Sequence, residues 1–284
     1  MSRHTKLVIG DVIRHLFLIV LVFVWLFPIA WLIFSSFDVG PGLTYTQLWP
    51  TTWTLDNYYK MLFTSNSVIN FPRWFLNTLI VAVCTCLIST IFILGVSYAM
   101  SKTRFASRRL LMNLSMILGL FPGFLSMICI YFILKTLNIS GSLIALIMVY
   151  SGSSGMGYLI AKGFFDTIPN SLVEAAKVDG ASQAHIFFKI VIPLSKPIIV
   201  YTIITSFLGP WCDFVFAKVI LTAGYVDGYT VAIGLYQMLD KMLLNTYFTQ
   251  FCAGSVVVAI PISILFIITQ KFYVEGITGG SVKG

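Results

Sequence analysis

The chain has 284 residues, of which 58% are hydrophobic and 10% are charged, and its mean hydropathy is +0.93. Since a soluble domain has about 25% charged residues and a disordered chain needs low hydrophobicity, both a soluble enzyme and a disordered protein are excluded. The formal net charge of +8 is compatible with nucleic-acid binding, but in so apolar a chain it is better explained by membrane sidedness.

Stretches without charged residues predict the membrane spans. A bilayer core of about 30 Å requires roughly 20 apolar residues in a helix. Five charge-free runs have this length, and a sixth apolar stretch is interrupted by Asp213 and Lys218. Helices rather than barrel strands are expected because the runs are unbroken. The six predicted spans are 16–37, 76–100, 110–134, 143–164, 198–220 and 250–272.

Lysine and arginine residues predict the orientation of these spans. Of the 18, 13 lie in the two termini and in the second and fourth connections, whereas five lie in the other connections. Because cytoplasmic segments carry the excess of Lys and Arg, both termini are expected in the cytoplasm. The domain organisation is then a cytoplasmic N-terminus, 1–15, and one transmembrane domain, 16–284, that contacts the lipid bilayer and no nucleic acid.

The first outer connection, 38–75, is long and rich in aromatic residues, including Trp49, Trp53 and Trp74. An aromatic belt at the membrane interface explains this composition. A docking surface for an external partner explains it equally well, and the two interpretations are compatible.

The fourth connection, 165–197, is predicted to be a structured cytoplasmic loop. Ser171 and Glu174 follow Pro169 with the spacing of a capping box, which predicts a helix over 171–178.

The rest of this loop predicts a turn and a second helix. Gly180 predicts a stop or sharp turn, and a second helical segment, 182–191, is expected to end before Pro193. Small residues on the surface of the loop would let another protein approach closely. A helical hairpin lying on the bilayer is the alternative, and composition alone leaves both open.

The loop carries a motif of defined spacing: Glu174, Ala175, Ala176, Asp179, Gly180, Ala181, Ile190 and Pro193. This motif resembles the cytoplasmic signature of binding-protein-dependent ABC transporter permeases. The chain has Ile192 where that signature usually has Leu, which is a conservative difference.

The resemblance covers essentially the whole chain and extends to the carbohydrate-importing branch, the maltose-type permease subunit. It is carried by Asn77 with Thr78, by 98–105, by 211–214 and by the glycine-rich tail 276–284. The branch usually has Asn where this chain has Cys212.

The resemblance implies an all-α membrane protein with the ABC importer type I permease fold, in the bacterial cytoplasmic membrane. It implies a subunit of an ATP-driven importer that moves a sugar or oligosaccharide into the cytoplasm by alternating access. The implied partners are a second homologous permease subunit, two ATP-binding subunits and an extracytoplasmic solute-binding protein. The 165–197 loop would couple the permease to the ATPase. A non-sugar solute such as a polyol phosphate, or a secondary carrier, is the alternative.

ATP and Mg are expected to bind to the partner ATPase subunits rather than to this chain. The sequence has no Gly-Lys dipeptide and therefore no P-loop. No catalytic residue, metal site or cofactor is expected in this chain. The glycine- and serine-rich stretch 151–157 indicates either close helix packing or a locally unwound helix along the pathway.

Polar and aromatic residues in the spans are candidates for the substrate pathway, because sugars are bound by hydrogen bonds and ring stacking. Each is also explained as a helix–helix contact. Asp213 stands apart because a carboxylate in a span is costly, and an ion pair with Lys218 or a substrate contact would explain it. The candidates are Asn77, Tyr98, Asn113, Tyr131, Tyr150, Ser153, Trp211 and Asp213.

Overall fold

The structure is a computed structural model that describes residues 3–40, 42, 49–66, 68–153, 155–221 and 226–279. Over these ranges the backbone is helical or lies in turns and short connections. Pairing between extended segments is limited, within the same ranges, to an isolated bridge between Asp38 and Trp53.

The α-helices vary from three to 36 residues in length. Their bounds are α1 Arg3–Ser35, α2 Asp56–Phe63, α3 Phe71–Lys102, α4 Arg108–Gly119, α5 Gly123–Thr136, α6 Leu143–Gly152, α7 Gly155–Asp166, α8 Asn170–Val178, α9 Gln183–Ile186, α10 Ile192–Leu194, α11 Lys196–Cys212, α12 Val215–Leu221, α13 Val231–Gln237 and α14 Leu244–Gly279. A π-helical turn, Phe187–Val191, joins α9 to α10, and a 3₁₀ turn, Val226–Gly228, precedes α13.

Within the described residues, four segments are long and apolar enough to cross a bilayer: Gly10–Ser35, Phe71–Lys102, Leu143–Asp166 and Leu244–Gln270. Two pairs of shorter helices meet the same test together but are bent. Helix α4 meets α5 at 101°, and the Gln183–Leu194 segment meets α11 at 86°. If each bent pair forms one span, the count is the six that the sequence predicts.

The prediction of one continuous helix over 110–134 is wrong. Helix α4 ends at Gly119 and α5 begins after Pro122, with the 101° bend between them. Pro122 has no N–H and its ring would clash with a helical carbonyl. It also disfavours helical geometry at Phe121, so the apolar run is divided there.

The prediction of one helix over 198–220 is also wrong. Helix α11 ends at Cys212, and Asp213 is extended, with ψ of 121°. The Asp213 carboxylate accepts hydrogen bonds from the amides of Phe216 and Ala217, at 3.2 and 3.1 Å. It thereby pairs amides at the start of α12, as a capping side chain does, and favours a new helix over continuation.

The glycine-rich stretch 151–157 interrupts the predicted helix 143–164, because α6 ends at Gly152 and α7 begins at Gly155. The same stretch packs closely against α3. A Cβ atom on Gly157 would lie 2.8 Å from Cδ1 of Ile93. The stretch therefore makes a close packing contact and contains the end of α6, and its role along the pathway stays a prediction.

The chain divides into two compact units, of which the first comprises Met1–Phe71 and Leu235–Ala259. Asn57, only 6% exposed, is its central polar contact. The Asn57 amide donates to the carbonyl oxygens of Ser36 and Asp38, at 3.0 and 2.7 Å, and accepts from the Thr249 hydroxyl at 3.2 Å. This side chain therefore joins three segments that are distant in sequence.

Tyr58, next to Asn57, makes a second polar contact in the first unit. Its hydroxyl lies 2.6 Å from the hydroxyl of Ser36. Burial raises the pKa of Tyr58 above the ordinary tyrosine value, and the Ser36 hydrogen bond opposes this shift.

The second unit comprises Pro72–Gly234 and Ile260–Gly284, and the N-terminal end of α3 organises part of it. The buried indole of Trp74 donates to the carbonyl oxygen of Val226 at 2.7 Å. The Thr78 hydroxyl accepts from the amide of Val231 at 2.8 Å. Gly234 on α13 lies against the Trp74 ring so closely that a Cβ atom there would overlap the ring.

Gly234→Ala is therefore expected to destabilise the protein by about 1–3 kcal/mol, because the added methyl group must displace the Trp74 ring. Gly163→Ala is the matched control. Gly163 also lies within a helix, but a Cβ atom there meets nothing within 4 Å, so a neutral or slightly stabilising effect is expected. Thermal unfolding of the detergent-solubilised protein measures both, and equal midpoints for the two variants would contradict the packing argument.

Candidate functional site

The 165–197 loop begins with α8, which starts one residue earlier than predicted. Its N-cap is Pro169, and no side chain caps the helix, so the predicted capping box is wrong. Pro169 has an extended ψ of 131° and has no N–H, which suits it to a position where the helix begins. Ser171 consequently lies inside the first turn.

The predicted glycine turn after α8 is confirmed. Gly180 has a φ of +81°, a left-handed conformation that glycine adopts without steric cost. The amide of Ala181 donates to the carbonyl of Ala176 at 2.9 Å, and that of Gly180 to Lys177 at 3.0 Å. This pair of bonds is the Schellman arrangement, which satisfies carbonyl groups at the helix end.

The second helical segment begins where predicted but continues past Pro193. The Ser182 hydroxyl caps it by accepting from the amide of His185 at 3.2 Å. The expected end before Pro193 is wrong because the π-helical turn comes first, with the Ile192 amide bonded to the Phe187 carbonyl. This wider turn leaves room for the proline ring, and the chain bends only at Ser195.

One face of the loop packs against the protein, and the opposite face is exposed. Val173, Ile186 and Val191 are buried in one core cluster with residues of α3 and α7. On the outer face Val178 is 88% exposed. Of the predicted coupling residues, Ala176 is buried and Ala181 and Ile190 are partly buried. The others are exposed: Glu174, Ala175, Asp179, Gly180 and Pro193.

A polar cleft of about 750 Å³ lies beside α8. Its lining includes Lys102, Arg104, Asp166, Glu174 and Lys177. The coupling loop therefore adjoins a charged surface, and its motif residue Glu174 is part of that surface.

Two of the predicted pathway residues lie too far apart to share one site. Asn77 and Tyr98 are at opposite ends of α3, about 30 Å apart along the helix axis. The buried Asn77 amide donates to the carbonyl oxygens of Asp227 and Tyr229, at 2.7 and 2.9 Å. The Tyr98 hydroxyl donates to Oε1 of Gln183 in the coupling loop at 2.7 Å.

The structure does bring Tyr150 and Asp213 together, since the tyrosine hydroxyl donates to the aspartate carboxylate. Trp211 lies close in sequence, is 4% exposed and packs against the ring of Phe75 with a centroid distance of 5.2 Å. Its indole nitrogen has no hydrogen-bond partner among the described residues.

Lys218 lies over the ring of Phe214, with 5.1 Å from Nζ to the centroid.

Three pathway candidates remain. Asn113 is exposed on α4. Tyr131 on α5 is half-buried and packs against the same apolar cluster as Tyr150. Ser153 is exposed, and its hydroxyl donates to the carbonyl of Val149 at 2.7 Å.

A cavity of about 320 Å³ adjoins Tyr150 and includes residues that the sequence did not single out. Thr85, Ser89, Tyr201 and Thr205 contribute to its lining. Thr85 and Ser89 are each 2% exposed, and their hydroxyls have no hydrogen-bond partner among the described residues. The sequence contained a sign of this cavity, because Thr85 and Ser89 are hydroxyl residues four positions apart and therefore lie on one face of a helix.

Within the described residues there is no group of three His, Cys, Asp or Glu side chains that could hold a metal ion. The five cysteines are free, and Cys86 and Cys252 are buried.

Comparisons with known proteins show the family of this chain. Residues 91–275 match the family model described as binding-protein-dependent transport system inner membrane component. The galactooligosaccharides transport system permease protein GanQ of Bacillus subtilis (strain 168) is 33% identical over 95% of this chain and 94% of its own length. The maltodextrin transport system permease protein MdxG of the same organism is 29% identical, with 100% of both chains covered.

A solved structure shares the fold. The crystal structure of a bacterial ABC transporter involved in the import of the acidic polysaccharide alginate has a chain that superposes with a TM-score of 0.81. The match covers 96% of this chain and 99% of the other, at 23% identity. The predicted ABC importer permease fold is thereby confirmed.

Gly180→Ala is expected to loosen the coupling loop, because a left-handed conformation costs an ordinary residue about 1–2 kcal/mol. Gly180→Asn is the matched variant, since Asn tolerates this conformation better. Amide hydrogen exchange over 171–191 measures the effect in solubilised protein. Exchange should be faster in the alanine variant and close to wild type in the asparagine variant, and equal exchange in all three proteins would contradict the argument.

Proposed function

The chain belongs to the family of inner membrane components of binding-protein-dependent transport systems, and on that premise we propose that it is the permease subunit of an ATP-driven importer. It carries a sugar or oligosaccharide into the cytoplasm by alternating access. The observation that carries this proposal is the 165–197 loop, in which two helices and a glycine turn present an exposed surface beyond the predicted spans. The chain itself is a multi-pass protein of the bacterial inner membrane.

The exposed face of the loop supports contact with another protein. Val178, 88% exposed, is an apolar side chain at the tip of α8, and Asp179 and Gly180 follow it at the turn. Exposed Ala175 lies one turn earlier and lets a partner backbone approach closely. An apolar contact inside a small, partly charged surface has the composition of a protein interface core with a polar rim.

Partner subunits supply the energy source in this proposal. Two ATP-binding subunits bind ATP and Mg, since this chain has no P-loop. Closure of the ATPase pair moves the coupling loop, and the transmembrane helices then switch between inward-open and outward-open states. A second homologous permease subunit completes the pathway, and an extracytoplasmic binding protein delivers the solute.

A sugar as substrate is supported by the hydroxyl-lined cavity beside Tyr150. A sugar needs several hydrogen-bonding groups within a mostly apolar pocket. Tyr150 and the unpartnered hydroxyls of Thr85 and Ser89 supply such groups. The relatives GanQ and MdxG are named for galactooligosaccharides and maltodextrin, which are both oligosaccharides.

Val178→Glu is expected to weaken retention of the ATPase subunits by about tenfold or more, because a carboxylate would be buried without a partner at the interface. Val39→Glu is the matched control, since Val39 is also an exposed valine, 59% exposed, but lies in the first outer connection. Co-purification of the ATPase subunits from solubilised membranes measures retention. Equal losses in both variants would argue against α8 as the docking element.

Reconstitution of the complete complex tests the function itself. Proteoliposomes containing both permease subunits and the ATPase are supplied with the binding protein and a labelled malto- or galactotriose. ATP enclosed in the proteoliposomes should drive accumulation of the sugar, whereas an enclosed non-hydrolysable ATP analogue should not. If the complex takes up a polyol phosphate and neither sugar, the proposed substrate class is wrong. If it takes up no solute in an ATP-dependent manner, the proposal is overturned.

The hydroxyl-lined cavity gives a separate prediction. Thr85→Val and Ser89→Ala should raise the sugar concentration needed for half-maximal uptake by about 5- to 10-fold, since each removes one hydrogen bond to the sugar. Thr136→Val is the control, because the Thr136 hydroxyl is exposed and bonded to its own helix, at the carbonyl of Phe132. Unchanged uptake in the two cavity variants would show that the cavity does not bind the sugar.

A further inference from the structure

The inner end of α3 carries two polar side chains, Tyr98 and Lys102, that point to the coupling loop. They are four residues apart and therefore lie on one face of the helix. Both are buried, at 7% and 8% exposure. Each is bonded to a different helical segment of the loop.

Lys102 holds the start of α8. Its ammonium group donates to the carbonyl oxygen of Ile168 at 2.6 Å and to Oδ1 of Asn170 at 3.1 Å. These residues flank Pro169, which begins the helix. Because a buried ammonium is costly without hydrogen-bond partners, these contacts determine where this short connection lies relative to α3.

Tyr98 holds the start of α9, on the other side of the Gly180 turn. Its hydroxyl donates to Oε1 of Gln183 at 2.7 Å. Its ring packs against Phe187 in the π-helical turn, with a centroid distance of 4.9 Å. One face of α3 thus contacts both helices of the loop.

A third contact strengthens the same attachment. Asp166, at the end of α7, accepts hydrogen bonds from the Ser101 hydroxyl and the Lys162 ammonium, each at 2.6 Å. Lys102 is the residue next to Ser101. The last turn of α3 is therefore bonded both to the end of α7 and to the start of α8.

From these contacts we infer that Lys102 and Tyr98 are positioning residues that hold the coupling loop to α3, so that movement of the loop moves this transmembrane helix. The inference rests on the proposed function and adds to it a specific mechanical connection. Two attachment points on either side of the turn resist rotation of the loop, which a single contact would permit. Loss of either should therefore let the loop move without α3.

Lys102→Met tests the first attachment, because methionine keeps most of the unbranched side chain and removes the charged ammonium group. In the reconstituted complex the ATPase subunits should be retained and ATP should be hydrolysed. The sugar taken up per ATP hydrolysed should fall by about tenfold, within the usual range of coupling between sites. Lys102→Arg, which keeps the charge and the donors, should restore a substantial part of the coupling.

Lys196→Met is the matched control, since Lys196 is an exposed lysine in the same predicted cytoplasmic connection. It should leave uptake per ATP unchanged. Tyr98→Phe tests the second attachment with a smaller change, because it removes the hydrogen bond to Gln183 and keeps the ring contact with Phe187. If Lys102→Met prevents assembly, Tyr98→Phe decides: lower uptake per ATP supports the inference, and unchanged uptake overturns it.

Hydrogen exchange gives a readout that does not depend on the substrate. Lys102→Met should speed amide exchange over 168–178, and Tyr98→Phe should speed it over 183–191, whereas Lys196→Met should do neither. Unchanged exchange and unchanged coupling in both variants would overturn the inference. Absence of ATP-driven uptake by the wild-type complex would instead overturn the proposed function, and the exchange experiment would still test the attachment.

Discussion

A bilayer interior has no water for unpaired backbone groups, so a helix break at membrane depth must be hydrogen-bonded from within the protein. In this chain the Asp213 carboxylate performs that task within the predicted span 198–220, because it pairs amides at the start of α12. In the connection that follows, the Asn77 amide pairs two carbonyl groups around the 3₁₀ turn before α13. Hydrogen bonding to backbone groups therefore explains why these polar residues occur in apolar stretches.

Thr85 and Ser89 differ from those residues because their buried hydroxyls have no partner among the described residues. A buried hydroxyl without a partner is unfavourable, and a solute with hydroxyl groups would satisfy it. Both residues line the cavity beside Tyr150, so a solute bound there would meet two buried hydroxyls that lack a partner. The polar residues that already support the backbone have less capacity left for a ligand.

Helix α3 makes polar contacts at both of its ends. Its first turns hold the segment around 226–231 through Trp74, Asn77 and Thr78, and its last turns hold the coupling loop through Tyr98 and Lys102. A helix of 32 residues extends about 48 Å, and its proline, Pro72, lies in the first turn, where proline does not break a helix. Movement at one end of α3 is therefore expected to reach the other end.

The sequence alone determined the features that depend on local pattern: the positions of the apolar segments, the all-helical fold and the glycine turn at Gly180. These follow from residue composition and from backbone preferences that need no distant contact. The breaks at Pro122 and Asp213 have local causes, but hydropathy does not detect them. The tertiary structure decided the partners of Tyr98, because Tyr98 and Gln183 are far apart in sequence. Hydropathy predicts one helix from one apolar run. The sequence makes Tyr98 a pathway candidate, whereas its contact with Gln183 forms only after the loop has folded back onto α3.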